Sequence, residues 1–258
     1  FCLFIIFISG IAAYFGVSAI DPRDGETVIK AVSLLNAEGI QRIVTNLVTN
    51  FTGFTPLGTV LVALLGVGVA ERSGLISAAM RGLVMKAPPR LITVTVVFAG
   101  VVSNTAAELG YVVLVPLAAM IFYGLGRHPL AGLAAAFAGV SAGYSANLLI
   151  GTVDPLLSGI TEEAAKIIDP SYTVGAEANW YFMMVSTFLI AIMGALITDK
   201  IVEPKLGKYN KDEASIDLSD QSSMDPLNQK EKRGLIYAGI SVLILAGILA
   251  LTVVPEWG

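Results

Sequence analysis

LITVTVVFAGVVSNTAAELGYVVLVPLAAMIFYGLG, residues 91–126, is an apolar run broken near its middle by Ser103, Asn104, Thr105 and Glu108. The twelve residues ahead of Ser103 are too few for a spanning helix, which needs about 20 at about 1.5 Å rise each, while the whole stretch is too long to be one. A re-entrant hairpin fits this pattern: a helix enters, a polar tip turns the chain, and a helix returns. Irregular backbone at membrane depth survives only where protein buries it or a wet cavity meets it, and its free amides and carbonyls are then available as ligands. The tip is therefore the leading candidate site.

Composition supports a bilayer setting for that hairpin. The chain is 55 % hydrophobic and 14 % charged, with a mean hydropathy of +0.77, well outside the range of soluble domains. This predicts an all-α integral membrane protein with several spans. A formal charge of −4 excludes a basic surface for nucleic acid. Cys2, the single cysteine, has no partner for an internal disulfide. The chain opens at Phe1 inside an apolar run and stops as abruptly after VVPEWG, so both ends are expected to be truncations.

Outward from the hairpin, residues 1–90 read as scaffold helices with a periplasmic loop. A first span is expected from Phe1 to Ile20, stopped by Asp21, Pro22, Arg23 and Asp24. An amphipathic stretch follows, in which Ile29, Val32, Leu35, Ile40, Ile43, Leu47 and Val48 suggest surface helices or a folded loop, and a second span starts near Thr55. Residues 127–177 read as a broken transmembrane helix and a periplasmic loop. Another span is expected over 178–199, opening on the aromatic Trp180, Tyr181 and Phe182; 200–233 reads as a flexible cytoplasmic loop and 234–258 as a last span.

Twelve of the Lys and Arg residues fall in 71–90, at Arg127 and in 200–233, against four in 21–54 and 154–179. Basic loops stay cytoplasmic, so both ends of the hairpin, Arg90 and Arg127, are expected on that side.

The second break, SAGYSAN at 141–147, places Ser141, Gly143, Ser145 and Asn147 in another apolar run. Hydroxyl and amide oxygens with free carbonyls suit a hard cation or polar substrate groups, and a sodium ion at Ser103, Asn104 and Ser141 is one arrangement. Gly139 and Gly143 in G-x-x-x-G spacing, with Ser141 and Ser145, serve equally well as helix-packing residues. For Ser103, Asn104 and Thr105 a site is the better reading, because a contiguous triplet does not lie on one packing face. Glu108 and Asp154 are the acids nearest the membrane core and the candidates to carry a proton or bind a cation. Asp154 serves as well as a cap before Pro155. His128, beside Arg127, reads as a solvated loop residue.

TPLGTVLVALLGVGVAERSGL at 55–75, SNTAAELGYVVLVPLAAMIF at 103–122 and AGVSAGYSANLLIGTVDPLLSGIT at 138–161 resemble the characteristic blocks of the AbgT family of bacterial inner-membrane transporters. The resemblance covers nearly the whole chain but only about the amino-terminal half of a family member. It implies a fold similar to divalent-anion/sodium symporters, with two inverted repeats, each carrying a Ser-Asn-Thr hairpin and a broken helix. Ser103, Asn104 and Thr105 match the first hairpin tip, Ser141 to Asn147 the facing break, and Asp154 an acid implicated in transport. The function implied is secondary active, elevator-type transport of p-aminobenzoyl-glutamate, or efflux of sulfonamide antimetabolites, by a homodimer, with a proton or sodium ion coupled and no cofactor. A passive channel is the alternative. An intramembrane hydrolase using GYSA at 143–146 lacks a membrane histidine, since His128 lies in a turn.

Overall fold

A computed structural model describes residues 1–54, 56–106, 110–144, 146–210 and 227–253. The chain is mostly helical and divides into two compact units, one made of 1–62 and 153–178, the other of 63–152 and 179–258.

In the first unit, helix α1 (Cys2–Tyr14) is shorter than the span expected over Phe1–Ile20. Gly16, at φ +62°, turns the chain out of helical geometry. Ser18–Ile20 (β1) then pairs antiparallel with Val28–Lys30 (β2), a small ribbon that an all-α reading leaves out. Asp21 ties the turn between the strands by accepting from the Arg23 guanidinium, and Asp24 by accepting from the amides of Glu26 and Thr27. Those bonds, the Thr27 hydroxyl foremost, hold the Asp24 carboxyl at about 2. Surface helix is confined to α2 (Ala37–Thr45) and α3 (Leu47–Thr52). Asn36 starts α2 by accepting from the Gly39 amide at 2.7 Å. The unit is completed by α9 (Val153–Ala165).

The second unit holds the core. Helix α4 (Leu57–Arg72), which begins in the first unit, is followed by α5 (Leu75–Met85), bent from it by 63° at Gly74. Next come α6 (Ile92–Ser103), a 3-10 turn over Asn104–Ala106, a π turn over Gly110–Leu114, α7 (Val115–Gly124), α8 (Pro129–Ala142) and α10 (Trp180–Ile197). Small residues let these backbones meet. A Cβ on Gly132 would fall 2.4 Å from the Ala118 carbonyl oxygen of α7, and one on Gly139 would fall 2.5 Å from that of Val97 on α6. Val96, Val97, Leu114 and Phe122 fill the space between, all fully buried. Two described helices are long and apolar enough to cross a membrane, Trp180–Leu206 and Gln229–Thr252, with the bent α4 and α5 as a third if they form one span.

The chain returns to its starting end after α7, because the Arg127 guanidinium donates to Thr93 Oγ1 of the first turn of α6 at 2.8 Å. Arg127 does more than mark a polar surface. It donates to Asp199 at 2.6 Å and to Glu203, and lies 4.1 Å from the Phe122 ring centre. Burial opposes its charge, but the two carboxylates outweigh it and raise its pKa. Those bonds carry the helix past Ile197 through a π turn, Thr198–Val202, into α11 (Glu203–Leu206), so residues 200–206 are helical where a loop is expected. On the far side of the 211–226 segment, which lies outside the described residues, helix α12 (Gln229–Val253) begins before Gly234. There Asn228 and Glu231 cap each other's amides, and Glu231 also pairs with Arg81 of α5. Arg127→Gln is expected to cost about 2 kcal/mol, less than the roughly 3–5 of a fully buried pair, since its guanidinium keeps some solvent. An unchanged melting temperature for the purified variant would remove this clasp from the account.

Candidate functional site

Three consecutive side chains end α6. Ser103 Oγ donates to the Gly100 carbonyl at 2.6 Å, Asn104 Nδ2 to Val101 at 3.1 Å and Thr105 Oγ1 to Val102 at 2.9 Å. Each bond reaches back three residues, so the triplet competes with the backbone for the carbonyls of the last turn and stops the helix. A contiguous triplet can thus share one task without sharing one face.

The same triplet joins the second break. Asn104 Nδ2 also lies 3.2 Å from the Val140 carbonyl and 3.0 Å from that of Gly143, at the end of α8. Thr105 Oγ1 meets Asn147 Oδ1 at 2.9 Å, and the same oxygen accepts from the Leu148 amide. Ser103, Asn104 and Asn147 are all buried. Gly110 closes the tip from the returning arm, and a Cβ there would fall 2.1 Å from Ser103 Oγ.

Two helices therefore terminate against each other, and each brings the partial negative charge of its carbonyl end. The donors of Ser103, Asn104 and Thr105 are turned to carbonyls and to Asn147, which leaves acceptor oxygens as the capacity the triplet can offer a ligand. Such a donor set favours a cation, or an N–H of a substrate, over a carboxylate.

The structure brings Ser103, Asn104, Thr105, Gly143 and Asn147 into this one cluster. Ser141 faces its edge, with its Oγ 2.9 Å from the hydroxyl of Tyr111. Glu108 and Ser145 lie outside the described residues. Asp154 belongs to the other unit, in the first turn of α9, where the positive end of the helix favours a carboxylate. Gly139 is a packing residue, and Gly143 both packs against Val101 and offers its carbonyl to Asn104. His128 is more than a solvated loop residue: its Nδ1 accepts from the Leu130 amide at the start of α8, and its ring meets Tyr209 edge-on.

Sequence reasoning passed over Tyr111 and read Trp180 only as an interfacial aromatic, whereas its Nε1 donates to the Leu148 carbonyl beside Asn147 at 3.0 Å. A polar-tipped aromatic three residues beyond Glu108 was the available signal for Tyr111. For Trp180 the membrane-interface role of Trp hid it.

Comparison with known proteins adds four findings. The profile of the AbgT putative transporter family matches residues 1–258. The chain is 41 % identical over 252 residues to the p-aminobenzoyl-glutamate transport protein of Escherichia coli K12, covering 97 % of this chain and 48 % of that protein. Among solved structures it matches the Alcanivorax borkumensis YdaH transporter, which has an unusual topology, with a TM-score of 0.80 and 44 % identity over 98 % of this chain and 52 % of that one. It matches Neisseria gonorrhoeae MtrF, whose structure illuminates a class of antimetabolite efflux pumps, with a TM-score of 0.80 and 55 % identity over 98 % and 51 %. The chain thus spans about half the length of these relatives.

Proposed function

We propose, on the premise that this chain belongs to the AbgT transporter family, that it carries out secondary active transport of p-aminobenzoyl-glutamate or related aminobenzoyl compounds across the bacterial inner membrane. Family membership and the apolar spans make it a membrane protein and speak for a carrier over a hydrolase. Substrate class comes from the relatives, one a p-aminobenzoyl-glutamate transport protein and another an antimetabolite efflux pump.

The observation that carries the mechanism is the meeting of two helix ends at Asn104. We read 91–126 as a re-entrant hairpin and 127–177 as a broken transmembrane helix with a periplasmic loop, together part of one repeat of an inverted-repeat fold that works as a homodimer with elevator-type movement. Acceptor oxygens at the tip would hold the coupling cation, sodium, near the carbonyl ends of α6 and α8, while Asp154 or Glu108 would carry a proton if the gradient is protonic.

Counterflow in proteoliposomes tests the carrier. Saturable exchange of labelled p-aminobenzoyl-glutamate that responds to an imposed ion gradient is expected, whereas non-saturating, gradient-independent flux would make the protein a passive channel. Asp154→Asn then separates the ions. Loss of proton-driven flux is expected if Asp154 carries the proton. Full retention, with flux abolished by removing sodium, would leave coupling to the tip oxygens.

A further inference from the structure

Away from the polar breaks, α5, α6 and α10 border an open groove of about 210 Å³. It is lined by Leu83 of α5, Val94, Thr95 and Phe98 of α6, and Phe188 and Ile192 of α10. Phe98 and Phe188 stack at 6.2 Å between ring centres. Leu83, Phe188 and Ile192 are exposed, and α10 is one of the helices long and apolar enough to cross a membrane.

Its direction is set by two contacts. Thr93 Oγ1 donates to Asp199 at 2.7 Å, and a Cβ on Gly194 would fall 2.8 Å from Val97 Cγ1. The end of α10 therefore meets the start of α6, and the groove runs inward from the turn between α5 and α6. In that turn Lys86 and Arg90 are exposed and form no ion pair with a described residue. Asp199 and Glu203, the carboxylates beyond α10, are already taken by Arg127.

Thr95 comes next, about one helical turn inward. Its hydroxyl bonds no described residue. The aromatic floor follows. Cations, then a hydroxyl, then an apolar channel is the order of phosphate, ester and acyl chain in a phospholipid. The volume is below the roughly 300–1,000 Å³ of sites for drug-sized ligands, which suits a slender chain over an aminobenzoyl substrate. Basic clusters beside spanning helices attract anionic headgroups.

We infer that this groove binds one acyl chain of an anionic phospholipid, whose phosphate sits at Lys86 and Arg90 and whose ester faces Thr95. The site is independent of the transport reading.

Native mass spectrometry of the intact protein, delipidated and mixed with phosphatidylglycerol or phosphatidylcholine in detergent, tests this. Phosphatidylglycerol should be retained at least about tenfold better than phosphatidylcholine, and Lys86→Gln with Arg90→Gln should erase that preference. Ile192→Trp, which fills the groove and leaves the cations in place, should lower phosphatidylglycerol retention about tenfold, and Leu83→Trp serves the same end if the first variant does not fold. Equal retention of the two lipids overturns the proposal. So does a preference lost with the cations but untouched by filling the groove, since that result means attraction to surface charge alone.

Discussion

On the proposed transport function, Asn104→Ala is expected to lower gradient-driven uptake of p-aminobenzoyl-glutamate by ten- to a hundredfold at limiting substrate and ion, while the protein still inserts. The amide it removes is shared among the carbonyls of Val101, Val140 and Gly143 and so ties two helix ends together, while the backbone amides of residues 104 and 146 keep only their own bonds to Val101 and Gly143. Losing buried hydrogen bonds that link the two ends costs about 1–3 kcal/mol, roughly the span of rates just given. Carbonyls with no shared donor repel, so the two breaks should part and the acceptor cluster should lose its geometry. Asn104→Asp is a sharper probe. It keeps the shape but points a carboxylate at those carbonyls, and should transport no better than alanine. Wild-type uptake by either variant under limiting conditions would take the tip out of the mechanism.

Gly139→Ala should cause the largest loss of stability from the smallest change. Its added Cβ would fall 2.5 Å from the Val97 carbonyl oxygen and 3.0 Å from Val97 Cα, both backbone atoms that do not swing aside. Helix α8 must then withdraw from α6, at a cost of about 1–3 kcal/mol or more. Because Val140 and Gly143 withdraw with it, Asn104 loses its long-range acceptors, and transport should fall with stability. Gly66→Ala is the control, since nothing lies within 4 Å of the added methyl. A thermal melt showing equal effects at 66 and 139 would mean that the α6 and α8 backbones are not in contact.

Much of the local structure was legible because it depends on neighbours in sequence. Polar residues in an apolar run marked both breaks, at 103–105 and around 143–147, and α6, α8 and α10 fall where the apolar runs predict helix. Turns were read with the same local logic, although Gly16 ends α1 earlier than the apolar run suggests. The 200–206 segment is the exception. Its composition is that of a loop, yet Asp199 and Glu203 are helical because Arg127, more than seventy residues away, binds them both.

Sequence alone determined that this is a membrane protein and that its apolar runs are interrupted by polar residues, after Ser103 and after Ala142 in the folded chain. These follow from transfer energies and helix chemistry that act within a few residues. Only the tertiary structure decided that Asn104 bridges carbonyls 36 and 39 residues further on, that Gly139 is a contact point, and that Arg127 is clasped. Such outcomes depend on which backbones can approach within hydrogen-bond distance. That is a property of how α6, α7 and α8 pack together, and no spacing within one strip of sequence encodes it.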